Sequence, residues 1–188
     1  MPNAILDPTG TATTSAAKQA APRAPRPASL QGKRVGLLSN TKTNARPFLE
    51  EVGRLLEDRY GVTLTQRTKV NFAVPEPEDV IKELIADNDV IITGVGDCGS
   101  CSAAATADGV VLESAGVPVA AIITESFIPT ADAMAALRGA PGYKYATTAH
   151  PVAVLTEDKV RERAAQVLDD VVALLVEPEK ASAAEAGE

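Results

Sequence analysis

Asp89-Val90-Ile91-Ile92-Thr93-Gly94 is the stretch that decides the fold of this 188-residue chain. Its β-branched residues lie between two polar ends, a composition that predicts a strand buried on both faces. Such strands belong to parallel sheets that helices cover on both sides. The chain is therefore expected to fold as an α/β domain built around this strand.

Strand-like and helix-like segments alternate on either side of it. Short apolar or alternating runs predict four more strands, and apolar residues at helical spacing predict five helices. The strands fall at 34–38, 62–68, 117–124 and 145–148, and the helices at 47–60, 76–86, 102–114, around 134–137 and at 157–176. This alternation predicts a three-layer αβα sandwich whose parallel sheet has the flavodoxin-like order 2-1-3-4-5.

Composition separates one domain from two tails. Residues 33–178 carry the regular pattern and are expected to form the α/β domain. Residues 1–32 contain a small, polar stretch and several prolines, which predicts a flexible N-terminal tail with Ile5-Leu6-Asp7-Pro8 as a short docking segment. Residues 179–188 are expected to form a disordered acidic tail.

Charge and hydropathy exclude two classes of partner. The net charge of −7 and a pI near 4.8 argue against nucleic-acid binding, which needs a clustered basic surface. No apolar run is long enough to span a bilayer, and the N-terminus lacks the apolar core of a signal peptide. We therefore expect a cytoplasmic protein without a membrane partner, whose two cysteines are thiols or a pair that cycles.

The expected sheet order places a ligand crevice beside the two cysteines. In such sheets ligands bind beyond the carboxyl ends of the strands, at the point where the strand order reverses. That point lies between the first and third strands, so residues 39–42 and 95–101 are expected to line the crevice. The candidate substrate-binding residues are polar, aromatic or small residues near strand ends: Asn40, Thr41, Lys42, Asn44, Gly96, Gly99, Ser100, Thr124 and Phe127.

Cys98-Gly99-Ser100-Cys101 supplies the candidate reactive groups. Cys98 directly precedes a predicted helix and Cys101 lies one turn in, so unpaired N–H groups and the helix dipole favour a thiolate at Cys98. Glycine at positions 96 and 99 allows a tight turn and the close approach of a substrate. Ser100 is a candidate cap for the helix, or a hydrogen-bond donor to the thiolate.

Asp97 and His150 are the candidates for moving a proton. Asp97 adjoins Cys98, and its carboxylate is expected either to cap an amide or to act as an acid or base. His150 follows the last predicted strand and therefore lies at the same carboxyl edge of the sheet. An imidazole in that place can exchange a proton with a thiol.

Three interpretations of the cysteine pair are open at this point. The pair is structural if both thiols are buried as small apolar groups. It binds a metal if Cys98, Cys101 and His150 are ligands, with Asp97 or water as the fourth. It is catalytic if Cys98 attacks and Cys101 resolves the adduct, which is the interpretation we favour, without a metal or a cofactor.

Gly96-Asp97-Cys98-Gly99-Ser100-Cys101 resembles the signature of the UGSC family, named for selenocysteine-Gly-Ser-Cys, in which many members carry cysteine at the first position. Supporting matches are found at residues 5–10, 39–45 and 116–118, at Thr124 with Phe127, and at His150-Pro151. A more distant likeness is to the selenoprotein B component of glycine, sarcosine and betaine reductases, and it implies that position 98 is the nucleophile. Because cysteine is less nucleophilic than selenocysteine at neutral pH, selenium-dependent reductive cleavage is not expected to carry over unchanged.

The residues and the resemblance together predict a cysteine-dependent enzyme, an oxidoreductase or a lyase. Its substrate is expected to be a small molecule with a carboxylate or carbonyl group, held by Asn40, Asn44 and Lys42. One alternative is a subunit that works only beside a homologous or reducing partner protein, and we expect an oligomer. The other alternative is a metal-dependent lyase or hydratase that uses Cys98, Cys101 and His150.

Overall fold

The computed structural model describes residues 23–177 of the chain. Within these residues the sheet has five strands, all parallel, in the order β2-β1-β3-β4-β5. The strands are β1 (Arg34–Ser39), β2 (Thr63–Thr68), β3 (Val90–Gly96), β4 (Val119–Thr124) and β5 (Ala146–Thr148). The α/β class and the flavodoxin-like strand order predicted from the sequence are therefore confirmed.

Helices cover both faces of the sheet. They are α1 (Ala45–Tyr60), α2 (Glu78–Asp87), α3 (Gly99–Ser114), α4 (Ile128–Leu137) and α5 (Glu157–Leu175), and a short 3-10 turn (Glu125–Phe127) leads into α4. Helices α1 and α5 share one apolar core with the strands, whereas α2, α3 and α4 pack on the other face. No helix within residues 23–177 is long and apolar enough to cross a bilayer.

Strand β3 lies at the centre of the sheet and is buried along its whole length, as its composition predicts. Val90 and Ile92 belong to the core under α1 and α5, while Ile91 belongs to the core under α2 and α3. The strand continues to Gly96, two residues beyond the predicted end. The extension brings the cysteine segment directly to the carboxyl edge of the sheet.

Residues 23–32 pack on the domain, although the sequence places them in a flexible tail. Leu30 is fully buried and Ala24 is 4% exposed. The Arg26 side chain is buried, pairs with Glu113 of α3 and donates to a backbone carbonyl of α5. These contacts hold the segment on the domain, and the prolines in the segment keep it extended. The docking segment within residues 5–8 and the tail at 179–188 lie outside the described residues, and these bounds stay predictions.

Candidate active site

Gly96 ends strand β3 in a space too narrow for a side chain. A Cβ atom there would lie 2.6 Å from the Cδ1 atom of Ile123 and 2.7 Å from the Oγ atom of Ser102. The missing side chain lets the start of α3 approach strands β3 and β4 closely. Asp97 and Cys98 alone therefore connect the end of β3 to the first residue of α3, at the edge of the sheet.

Cys98 caps helix α3. Its sulfur accepts the backbone N–H of Cys101 at 3.3 Å, and its carbonyl accepts the backbone N–H and the hydroxyl of Ser102 at 3.0 and 2.8 Å. Helix α3 therefore begins at Gly99, three residues before the predicted start, with the sulfur at the positive end of the helix dipole. Ser100 is not the helix cap that the sequence suggests, because Cys98 occupies that position. The hydroxyl of Ser100 lies 3.5 Å from the Cys98 sulfur.

The two cysteines are joined in a disulfide across this first turn, with their Cα atoms 5.3 Å apart. Cys98 is partly exposed, whereas Cys101 is only 1% exposed. A reagent from solvent therefore meets the Cys98 sulfur first, and Cys101 lies behind it. A Cβ atom at Gly99 would have no atom within 4 Å outside its chain neighbours and its own helix backbone, so the space beside Cys98 is open.

Asp97 anchors the loop that follows β5. Its carboxylate is 6% exposed and accepts the backbone N–H groups of Val152 at 3.0 Å and Ala153 at 2.8 Å. It also lies 2.9 Å from the Nδ1 atom of His150. Of the roles expected for this carboxylate, the geometry shows the capping of backbone amides, and it also shows that Asp97 orients the imidazole of His150.

The His150 ring has a defined orientation. Its Nδ1 atom lies 2.9 Å from Asp97 Oδ1 and 3.2 Å from Thr124 Oγ1, and Thr124 donates its own hydrogen to the carbonyl of Gly96. Because both neighbours of Nδ1 are acceptors, the neutral form of the ring is assigned its proton on Nδ1 and its lone pair on Nε2. Phe127 packs edge-on against the ring with the centroids 5.4 Å apart. Thr124 and Phe127, selected from the sequence as substrate-binding residues, thus contact His150.

In NMR of the imidazole nitrogens, the neutral form of the His150 ring should carry its proton on Nδ1, and the signals are unambiguous because the chain has a single histidine. A hydrogen bond to a charged acceptor contributes about 1.5–3 kcal/mol, which favours this tautomer by about tenfold or more. Asp97→Asn replaces the charged acceptor by a neutral amide and should weaken that preference. Glu125→Gln, which neutralises an exposed carboxylate next to Thr124, is the control and should leave the tautomer unchanged. A neutral ring protonated on Nε2 in the unaltered protein would contradict the assignment.

Asn40 and Asn44 use their amides to hold loops together. Asn40 is 4% exposed, donates to the carbonyl of Val95 at 2.8 Å and accepts the backbone N–H of Lys42 at 3.0 Å. Asn44 adopts a left-handed backbone (φ 65°) before α1 and directs its Nδ2 atom at three carbonyls of residues 152–155, at 2.8 to 3.3 Å. Both amide nitrogens therefore have a structural role, and the substrate-binding role expected for Asn40 and Asn44 stays a prediction.

Thr41 and Lys42 are two polar residues of the first loop that reach solvent. Thr41 is exposed and Lys42 is half-buried. The Lys42 ammonium lies 4.1 Å from the centre of the Phe72 ring, which belongs to the segment between β2 and α2. Their contact with a substrate stays a prediction.

A buried ion pair behind the site was not predicted. Lys69, 3% exposed, pairs with the fully buried Asp108 of α3, and Asp108 also accepts the backbone N–H of Glu76 at 2.7 Å. Burial raises the pKa of the Asp108 carboxyl, and the Lys69 ammonium opposes that shift. A charged residue within the Ala- and Gly-rich stretch of α3 is the signal in the sequence that points to such a pair.

The candidate metal ligands are not grouped as a metal centre. Within residues 23–177 no set of three or more His, Cys, Asp or Glu side chains is placed to hold a metal ion. Cys98 and Cys101 are bonded to each other, and the Nδ1 atom of His150 faces Asp97. The arrangement of these side chains therefore gives the metal interpretation no support.

Comparison with known proteins identifies a family. The model described as the UGSC family matches residues 4–177. No curated protein matches the chain. Among solved structures, one described as the crystal structure of an ABC transporter permease from the Pseudomonas fluorescens group aligns with 75% of this chain at 16% identity and a TM-score of 0.39. The alignment covers 32% of that structure's chain, about a third of its length.

Proposed function

This chain belongs to the UGSC family, and we propose that it is a thiol-dependent enzyme whose Cys98 sulfur attacks a small substrate carrying a carboxylate or carbonyl group. The disulfide at the start of α3 is the observation that supports this most. Two sulfurs within one helical turn, one partly exposed and one buried, form the arrangement of a pair that cycles between dithiol and disulfide.

In the reduced pair, Cys98 is the nucleophile. Its sulfur lies at the N-cap of α3, where the helix dipole stabilises negative charge. The backbone N–H of Cys101 already donates to it, and the Ser100 hydroxyl at 3.5 Å is a second donor. Donors of this kind favour the thiolate over the thiol.

His150 is the proposed proton carrier. Asp97 and Thr124 hold its Nδ1 side, so the Nε2 lone pair is the part of the ring that can take a proton. Asp97, which orients the ring, adjoins Cys98 in the chain, and a base oriented by a carboxylate follows the general pattern of activated nucleophiles. We assign His150 to deprotonate the Cys98 thiol and later to protonate the product.

The proposed cycle transfers two electrons. The Cys98 thiolate displaces a leaving group from an activated substrate atom, either a sulfur or a carbon next to a carbonyl, and a covalent adduct forms. The Cys101 thiolate then attacks the Cys98 sulfur, the bond to the substrate breaks, and the substrate leaves with the electron pair and takes a proton from His150. The two thiols have become the disulfide and the substrate has been reduced.

The cycle needs a reductant from outside the chain. An external dithiol restores the pair by thiol–disulfide exchange, so a reducing partner is part of the proposal. The oligomeric state, the cytoplasmic location and the distant likeness to selenoprotein B stay predictions.

Counting and titrating the thiols tests the proposal. Protein purified and unfolded without reductant should have no thiol that reacts with iodoacetamide, and protein that is reduced and unfolded should have two. In a Cys101→Ala variant, Cys98 should be alkylated with a half-maximal rate at a pH below about 8.5, the ordinary value for a thiol. Intact-mass spectrometry gives the number of modified thiols, and peptide mapping identifies the residue.

Cys98→Ser should abolish turnover of any substrate found for the protein while the far-UV circular dichroism stays unchanged. Ser100→Ala is the matched control: it removes one neutral hydrogen bond and should slow alkylation by less than about tenfold. Full activity of Cys98→Ser would contradict the proposal, and so would a Cys98 that is alkylated only above about pH 8.5.

A further inference from the structure

Lys42 lies in the loop after β1, at the carboxyl edge of the sheet where the crevice is expected, and its ammonium forms no ion pair with a carboxylate of residues 23–177. Its backbone N–H is bound to the Asn40 side chain, which in turn donates to the carbonyl of Val95 near the end of β3. Asn40 also donates its backbone N–H to Gly94 at 3.0 Å. These bonds fasten the Lys42 loop to the strand end that leads into Cys98.

Phe72 holds the Lys42 side chain without cancelling its charge. The ammonium lies 4.1 Å from the ring centre, within the range of a cation–π contact. A carboxylate in the same place would neutralise the ammonium, whereas an aromatic face restrains it and leaves a net positive charge. The contact therefore keeps a cation available for an incoming anion.

The segment that carries Phe72 is anchored at both ends by buried groups. At one end Lys69 forms its ion pair with Asp108 of α3, and its backbone N–H donates to the carbonyl of Ser39 at 2.8 Å. At the other end the backbone N–H of Glu76 donates to Asp108 at 2.7 Å. Because a buried ionic group must keep its partners, these contacts hold the segment in one position against α3, the helix that Cys98 caps.

We propose that Phe72 is a positioning residue that holds the Lys42 ammonium at the crevice and thereby makes the Cys98 site selective for anionic substrates. The inference rests on the proposed role of Cys98 as nucleophile and names the substrate class, a small carboxylate. Lys69 and Asp108 act one step further away, because they fix the segment that carries the ring.

Two alkylating agents of similar size test this selectivity: iodoacetate, an anion, and iodoacetamide, which is neutral. With either agent the Cys98 thiolate forms a sulfur–carbon bond and iodide leaves with the electrons of the carbon–iodine bond. In the Cys101→Ala protein, the rate of Cys98 alkylation by iodoacetate is divided by the rate with iodoacetamide. This ratio is then normalised, which means divided by the same ratio for the protein unfolded in urea. Lys42→Met should lower the normalised ratio by about three- to tenfold, and Phe72→Leu should lower it by about twofold or more. Because salt screens charges, 0.5 M salt should make both differences smaller.

Three controls separate a positioning role from a general disturbance. Lys82→Met removes an exposed lysine of α2, and Val70→Ala trims a side chain of the same segment that is 97% exposed. Both should leave the ratio unchanged, and Phe72→Tyr should preserve it because the aromatic face remains. An unchanged ratio in Phe72→Leu, or an equal fall in Lys82→Met, would overturn the proposal. A wrong assignment of Cys98 as nucleophile would give a different result, namely a Cys101→Ala protein whose Cys98 does not react with iodoacetamide.

Discussion

Glu113→Gln is expected to lower the free energy of unfolding by about 3–5 kcal/mol, because it leaves a buried arginine without its counter-charge. The Glu113 carboxylate is 1% exposed and accepts two bonds from the Arg26 guanidinium, both at 2.6 Å. It also accepts the backbone N–H groups of Ala24 at 2.6 Å and Val119 at 2.9 Å. Glutamine would turn an NH₂ group toward some of these donors, and the Arg26 charge would remain in the interior.

Urea unfolding followed by circular dichroism measures the loss of stability. Adding Arg26→Met to Glu113→Gln should recover part of it, since the second substitution removes the unpaired charge, and the double-mutant cycle gives the coupling. Arg34→Met is the control, because Arg34 pairs with Asp89 at the surface, where water screens the pair, and little change is expected. A loss below about 1 kcal/mol in Glu113→Gln would show that this ion pair does not hold residues 23–32.

Gly96→Ala is expected to lower the free energy of unfolding by about 2–3 kcal/mol and to slow the alkylation of reduced Cys98. The new methyl group would lie 3.0 Å from the Cα atom of Ser102, so the start of α3 would have to move. Ser102 holds the Cys98 carbonyl through its backbone N–H and its hydroxyl. A shift of the helix therefore disturbs the cap that carries the reactive sulfur.

Gly99→Ala is the matched control for this substitution. A Cβ atom at position 99 would meet no atom within 4 Å outside the helix backbone, and alanine is a better helix former than glycine. Its free energy of unfolding should change by less than about 1 kcal/mol. Urea unfolding and the alkylation rate are measured for both variants. Equal effects at the two positions would show that the narrow space at Gly96 is not the cause.

The fold could be predicted because its signals are local. Phe48, Val52 and Leu56 recur at helical spacing in α1, and all three are buried in the core that α1 and α5 share. The composition of β3 predicted burial on both faces, and the alternation of strands and helices restricted the sheet to a parallel order. Element ends were less accurate, since Cys98 as a helix cap and the length of β3 depend on packing around Gly96.

The site could be predicted only in part. Topology placed the cysteine pair at the carboxyl edge, and strand ends brought Thr124 and Phe127 to His150. The amides of Asn40 and Asn44 were assigned to a substrate, and the structure shows them bound to backbone carbonyls. Where a loop amide points depends on the loop conformation, which is not encoded in the pattern of apolar residues.

The sequence by itself determined the α/β class, the strand order and the position of Cys98 at the start of a helix, because periodicity and composition act over a few neighbouring residues. Only the tertiary structure decided which cysteine is buried, which loop Asp97 holds and which partner Lys69 has. Asp97 and Val152 are 55 positions apart, and Lys69 and Asp108 are 39 apart. Contacts over such separations arise when packed elements bring distant polar groups together and burial removes the water that would otherwise bond to them.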